Sequence, residues 1–337
     1  MLRTIVGRVL PSLVSLFGVL VIAFVLTRAL PGDAAAYLAG PAASAEAVLE
    51  IRKTLGLDAS LPAQFWLYLR QIGSGELGHS WATGQPVLTE LGSRLPASIE
   101  LTGAGLLFAL SVALPLGVLS AVRPGSWLDH AARVLTTMGV ALPTFFTGLL
   151  LVYVFYYRLG WLPAPMGRLS PFAASPPAVT GLFTLDALIA GDLAAFIAAL
   201  SYLCLPAVTL GIFALAPIAR MTRASMLAVL SSEFIRTARA SRLPRYKVFL
   251  VYGLRNALMP VVTLLGMVFS YLLGANVLVE KVFSWPGLGS FALEALVISD
   301  YAAVQGFVLC MGVLYVLLNL SIDVAYGLID PRVRLAS

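Results

Sequence analysis

EFIRTARASRLPRYK, residues 233–247, decides how this sequence folds. Arg236, Arg239, Arg242, Arg245 and Lys247 face a single acid, Glu233, and the one proline is Pro244. The stretch lies between two long apolar runs, in a 337-residue chain that is 60% hydrophobic and 11% charged. A soluble domain of that size carries about a quarter of its residues charged. The missing charge and the repeated apolar runs point to a protein embedded in lipid. The net charge of +6 does not indicate nucleic acid, because the basic residues cluster in segments beside the apolar runs.

Working outward from this stretch, six runs are long and apolar enough to cross a hydrocarbon core about 30 Å thick. They are approximately Val9–Thr27, Leu101–Val122, Val134–Tyr157, Ala198–Ala219, Leu258–Val279 and Ala302–Ala325. Pro115, Pro143, Pro206 and Pro217 fall inside them and are expected to kink helices rather than end them. With the N-terminus inside, segments 1–8, 123–133, 220–257 and 326–337 hold 14 of the 22 basic residues and three acids, Asp129, Glu233 and Asp330. That asymmetry sets the orientation, with both termini cytoplasmic. Arg3 and Arg8 before an apolar run also describe a signal peptide, with Ala34–Ala36 as its cleavage site. The apolar run exceeds the usual signal core of about 7–15 residues, which favours a first span.

Outside, residues 28–100 carry turn signals and two short helical patterns, Ala45–Leu55 with Ser44 as cap and QFWLYLRQI at 64–72. The second outer loop, 158–197, is proline-rich and ends in a helix-like LDALIAGDLAAFIAAL. The third opens on a tight turn at Trp285, Pro286 and Gly287. Cys204 and Cys310 lie in apolar runs and are read as buried free thiols.

The middles of all six runs lack Asp, Glu, Lys, Arg and His, which argues against a proton relay or ion path at depth. There is no phosphate-binding GxxxxGK[ST], no catalytic constellation and no metal-ligand set. His79 and His130 fall on opposite sides of the membrane in this topology. Such a chain is either a passive pore or is driven by a partner. Gly266, Ser270 and Gly274 recur every four residues, the pattern of closely packed membrane helices. Ser270 and Asn276 are candidates for lining a polar path, with interhelical bonding the alternative for Asn276.

Within the opening stretch, Arg236, Arg239 and Arg242 recur at i, i+3 and i+6 and drift slowly around one helical face. Leu243, before Pro244, is pushed out of helical dihedrals, and proline suits the first turn of a new helix. The spacing predicts a short helix, a break at Leu243 and a second helix leading into the fifth span. So short an elbow, without a wide apolar face, has to be held by something else. It is either an orientation signal on anionic headgroups or a docking element on which another protein pushes.

FIRTARASRLPRYKVFLVYGLRNALMPVVT, residues 234–263, resembles the cytoplasmic loop of ABC importer permeases of the dipeptide/oligopeptide/nickel/glutathione family. LPGDAA at 30–35, the run 55–102, RMTRASML at 220–227, VFSWPGLG at 282–289, DYAAVQG at 300–306 and IDPRVR at 329–334 agree, in order and end to end. The resemblance, to the dipeptide permease B-type, implies an all-α integral membrane protein with six transmembrane helices and the type I ABC importer permease fold. A small extracytoplasmic cap would lie between helices 1 and 2. The expected divisions are 1–27 (N-terminus and first helix), 28–100 (cap), 101–325 (permease core, coupling loop about 220–257) and 326–337 (tail).

The resemblance further implies a non-enzymatic subunit in the bacterial inner membrane that carries short peptides. Glutathione, nickel chelates or sugars, or a non-ABC channel or secondary carrier, are the alternatives. Implied partners are a homologous second permease, two ABC ATPases and an extracytoplasmic solute-binding protein. The ATPases use ATP and Mg, and this chain binds no cofactor itself. Glu233, Phe234, Arg236, Thr237, Ala238, Arg239, Ala240, Arg242 and Leu243 would form the ATPase-coupling helix, and Trp285, Pro286 and Gly287 a receptor-facing turn. Arg242 stands where the family usually has glycine, and Ala302 where it usually has proline. A left-handed residue costs arginine about 1 kcal/mol, so Pro244 is the expected site of the turn instead.

Overall fold

The computed structural model describes residues 14–25, 28, 34–40, 43–54 and 56–329. Among them the regular structure is helical, apart from an isolated bridge between His79 and Pro86. The helices are α1 (Val14–Val25), α2 (Ala34–Ala39), α3 (Ala45–Thr54), α4 (Leu61–Gly73), α5 (Val87–Val122), α6 (Trp127–Ala141) and α7 (Thr144–Leu151). They are followed by α8 (Phe183–Ile189), α9 (Leu193–Leu230), α10 (Glu233–Ala240), α11 (Arg255–Val282), α12 (Leu288–Val297) and α13 (Tyr301–Ile329). Two segments are π-helical: Val152–Arg158, which continues α7, and Lys247–Leu254, which leads into α11.

Among the described residues four helices are long and apolar enough to cross a membrane, and α6 with α7 and its π-helical extension makes a fifth if the bent pair counts as one. The expected first span, Val9–Thr27, has only residues 14–25 among those described. Pro115 lies inside α5, and Pro206 and Pro217 inside α9, without ending either helix. Pro143 differs. Leu142 is extended (φ −95, ψ 141), Pro143 caps α7, and the two helices meet at 103°. The steric push of proline on its predecessor has here become a break. The helix-like run 185–200 also divides, because Gly191 is left-handed and Asp192 caps α9 through the Ala195 amide.

The chain forms two compact units, residues 1–95 with 290–337, and residues 96–289. In the first, Ser44 Oγ accepts from the Ala47 amide at the start of α3, the expected cap. Phe65 of α4 meets Phe17 and Phe24 of α1 edge-on at 6.1 and 5.2 Å. Asp300, fully buried, accepts from Ser80 Oγ and the Trp81 amide, both at 2.7 Å, and from the Ala303 amide at the start of α13.

In the second unit, α9 packs against α11, α6, α7 and α8. The core draws Leu101, Ala109 and Ala113 from α5, Leu210, Ala214 and Ile218 from α9, and Val261, Leu272 and Val279 from α11. Close approach of α5 and α9 is set by glycine. A Cβ at Gly117 would lie 2.6 Å from that of Thr222, and one at Gly211 would run into Phe108 and the Gly105 carbonyl. Beside Gly274, in the small-residue pattern of α11, there is open space instead.

Candidate functional site

The basic stretch folds as an elbow with a buried back and a polar front. Ile235 (0% exposed) and Ala238 of α10 pack with Val248, Val229, Leu230 and Leu243. Two apolar residues spaced i, i+3 are enough to seat an eight-residue helix, because α9 and the π-helical segment supply the rest of the cluster. The support that the sequence demanded from elsewhere is therefore supplied by the chain itself. On the front, Glu233, Phe234, Arg236, Thr237, Arg239, Ala240 and Arg242 are exposed, and Arg236 pairs with Glu233 at 2.7 Å.

The turn falls on Arg242, not on Pro244. Arg242 has φ 53; its amide donates to Arg239 O at 3.0 Å and the Leu243 amide to Ala238 O at 3.3 Å. This is the Schellman closure, with Leu243 also touching the apolar cluster beneath the helix. Glycine fits that left-handed position without strain, which gives a physical reason for the glycine usual at this position in the resembled family. Pro244 opens the next segment, accepting from the Lys247 and Val248 amides. Gly253 in that segment lies against Met226 of α9, so the elbow is clasped between the end of α9 and the start of α11.

A second feature ties the same end of this unit together. Asp129, wholly buried at the start of α6, accepts from Arg223 Nε at 2.8 Å and Nη2 at 2.9 Å. It also takes the Gly125 amide at 3.0 Å, while Ser126 Oγ caps the helix through the Asp129 amide. Sequence reasoning counted Asp129 only as one of three inner acids. Its rarity on a basic side was the available signal.

At the other end of this unit, Trp285 is 1% exposed and donates through Nε1 to Ala97 O at 2.9 Å. Gly287 is buried, and Pro286 is exposed. Ser98 Oγ donates to Glu280 at 2.6 Å and accepts the Leu288 amide at 2.8 Å, and a Cβ on Gly287 would strike the Glu280 carboxylate. The Trp-Pro-Gly turn is thus a clamp joining α5, α11 and α12. Asn276, 1% exposed, donates to Thr102 Oγ1 and Ser98 O. Its amide faces a neighbouring helix, while Ser270 donates to Gly266 O within α11.

The segment between α7 and α8 is fastened here as well. Arg168 pairs with Glu100 at 2.6 Å, both buried, donates to Gly181 O and stacks over Phe183 at 3.6 Å. Thr184 gives Glu100 two more hydrogen bonds, through its amide and its hydroxyl. Asp186 accepts from the Thr180 amide and hydroxyl and from the Gly181 amide. Burial pushes the Asp186 carboxyl up, but these bonds outweigh it and hold it below its ordinary value. Among the described residues no cluster of His, Cys, Asp or Glu fits a metal ion, and Cys204 and Cys310 are free and half-buried.

These features define a class, a membrane protein whose described residues are helical, with a buried clamp at one end of the second unit and a basic elbow at the other. A family model described as "Binding-protein-dependent transport system inner membrane component" matches residues 113–335, and that family's N-terminal model matches residues 1–102. The chain belongs to this family. It is 45% identical over 94% of its length to Escherichia coli K12 "Probable D,D-dipeptide transport system permease protein DdpB", covering 93% of that protein. It is 39% identical to "Dipeptide transport system permease protein DppB" of the same strain, covering 97% of this chain and 96% of that protein. "Glutathione transport system permease protein GsiC" of Escherichia coli O6:H1 is 36% identical, over 99% of both chains. The fold is similar to a chain of the MetNI methionine ABC transporter solved in inward-facing conformations, with TM-score 0.51, 17% identity, and 72% of this chain and 97% of that chain covered.

Proposed function

We propose that this chain is one permease half of an ATP-driven importer, taking short peptides from an extracytoplasmic binding protein and moving them inward. Two ATPase subunits, using ATP and Mg, and a second, homologous permease complete the assembly. The full topology is six spans with both termini inside, residues 28–100 forming the outer cap. The relatives named for dipeptides support peptide cargo over glutathione, nickel chelates or sugars.

The observation that carries this reading is the two-sided elbow. Its back is locked by Ile235, Ala238, Val248 and the Leu243–Ala238 hydrogen bond, while Phe234, Arg236 and Arg239 project outward from a rigid base. A lipid-binding orientation signal needs charge alone. A lever needs a seat, and this element has one, continuous with α9 and α11. Glu233 through Leu243 are the coupling residues of this reading. Outside, Pro286 and the neighbouring Ser284 are the exposed part of the receptor-facing turn, with Trp285 and Gly287 holding it in place.

The test changes the front of the lever and spares its back. Phe234→Glu, Arg236→Glu and Arg239→Glu together are expected to cut ATP-driven peptide uptake at least tenfold while the purified assembly keeps its thermal midpoint. Uptake at the wild-type rate in that triple variant, or uptake surviving removal of the ATPases, would restore the channel or secondary-carrier reading.

A further inference from the structure

The second unit holds a cavity of about 450 Å3 where α6 breaks into α7, within the roughly 300–1,000 Å3 of small-molecule sites. Its depth follows from two contacts between α6 and α9. Asp129 is pinned to Arg223, and Gly139 lies against Ile212. From Asp129 to Gly139 the helix rises about 15 Å, which sets the break beside the middle of α9, within its apolar run. Pro143 has no amide hydrogen. Among the described residues, the Val140 and Ala141 carbonyls and the Thr144 and Phe145 amides have no hydrogen-bond partner, and all four residues line the cavity. Ala141, Leu142 and Pro143 are exposed, so this chain does not bury the broken backbone itself. Unpaired backbone at such depth is tolerated under protein or beside water, and not against acyl chains.

The cavity also has an aromatic wall. Phe213 of α9 and Tyr271 of α11 stack almost parallel, with ring centroids 5.1 Å apart and 11° between the planes. Tyr271 is 59% exposed, so a ring braced from one side by Phe213 is open on the other. Met267, Tyr271, Gly274 and Leu278 recur at i, i+4, i+7 and i+11, and all four are exposed, a stripe of α11 that the described residues leave uncovered. None of the residues lining the cavity is charged.

We propose that this cavity receives an apolar side chain of the peptide in transit, packed on Tyr271, while the peptide group meets the unpaired backbone of the α6–α7 break. The proposal rests on the import reading above and names the residues by which this chain selects among cargoes. An aromatic or branched side chain gains a ring to pack on. A charged side chain finds no counter-charge there and is disfavoured. An acyl chain would cover Tyr271 and Leu278 but leave four backbone groups unpaired. A second permease seated on the α11 stripe is the competing occupant, and it makes a different prediction at Gly274.

The experiment measures ATP-driven uptake of Ala-Phe and Ala-Ala by the full assembly with its binding protein in sealed vesicles. One binding protein serves every variant, so a change in the ratio of the two rates reports the permease. Tyr271→Ala is expected to lower the Ala-Phe to Ala-Ala ratio about fivefold, and Tyr271→Phe to keep it. Gly274→Leu extends into space that this chain leaves open and is expected to exclude Ala-Phe more than Ala-Ala, with subunit stoichiometry intact. For any variant that fails to assemble, a dipeptide carrying benzoylphenylalanine, applied to the wild type during turnover, is expected to label segments 140–145 or 267–278. An unchanged ratio in Tyr271→Ala and Gly274→Leu, or labelling confined to other segments, would overturn the proposal. Loss of the second permease from the Gly274→Leu assembly would overturn it as well, by assigning the cavity to a subunit contact. A wild-type assembly that takes up neither dipeptide would sink the import reading and this proposal with it, whereas an unchanged ratio in an active assembly sinks this proposal alone.

Discussion

Arg223 grips Asp129 with both Nε and Nη2, at 2.8 and 2.9 Å, across 94 residues of sequence. The aspartate is fully buried and the arginine 28% exposed, so the start of α6 and the C-terminal part of α9 are pinned by one charged contact. Removing one partner of a buried pair strands the other charge and costs about 3–5 kcal/mol, the lower end applying where one partner reaches water. Asp129→Asn is therefore expected to lower the thermal midpoint of the purified assembly by several degrees and to reduce uptake. Arg223→Lys keeps the charge but loses the fork and is expected to fall between. A double-mutant cycle in thermal unfolding checks the pairing, and additive effects would count against it.

The closure of α10 gives an opposite expectation. Arg242 occupies a left-handed position at φ 53 that costs a side-chain-bearing residue about 1–2 kcal/mol. Arg242→Gly is expected to stabilise the elbow by about 1 kcal/mol, seen as slower hydrogen exchange of the Leu243 amide. Loss of uptake in this variant would mark the Arg242 side chain as a coupling contact in its own right, since the exposed Phe234, Arg236 and Arg239 are untouched. Arg242→Val is expected to open the helix end and speed the same exchange.

Much of this was legible in the chain. The charge asymmetry, the apolar runs and the order of motifs give the topology reading, and the 3-residue arginine spacing with Leu243-Pro244 gives helix, break, helix. Two things were not. Pro143 and Pro206 look alike in sequence, yet one breaks a helix and the other sits inside one, because surrounding packing decides whether the freed backbone groups are tolerated. Pairings such as Arg223 with Asp129, or Asn276 with Thr102, depend on which helix faces lie together, which one chain's local pattern does not encode.

The loop before α8 has a pH limit set by Asp186. Its carboxylate is buried yet held below its ordinary value by bonds from Thr180 and Gly181. A depressed folded value means stability that is present above the unfolded value and lost as pH falls through the folded one. Limited proteolysis of the loop between Pro171 and Thr180 should therefore stay slow at neutral pH and accelerate only in acid below the ordinary carboxylate range. Asp186→Asn should make cleavage fast at neutral pH and flatten the profile. An unchanged profile in that variant would assign the acid sensitivity to another group.

Glycine separates two kinds of close approach. At Gly117 an added methyl would sit 2.6 Å from the Thr222 Cβ and 2.9 Å from the Ala219 carbonyl, between two long helices that cannot separate locally. Overpacking of this kind costs about 1–3 kcal/mol. At Gly274 the same methyl meets nothing within 4 Å in this chain, although Gly274 belongs to the small-residue repeat that the sequence singles out. Gly117→Ala is thus expected to lower the thermal midpoint of the chain itself. Gly274→Ala should leave that midpoint unchanged, and it should weaken assembly only if another subunit packs on that face. Measuring the midpoint and the subunit stoichiometry of both variants distinguishes packing inside the chain from packing against a partner. A stable Gly117→Ala chain would mean that α5 and α9 do not approach as closely as described.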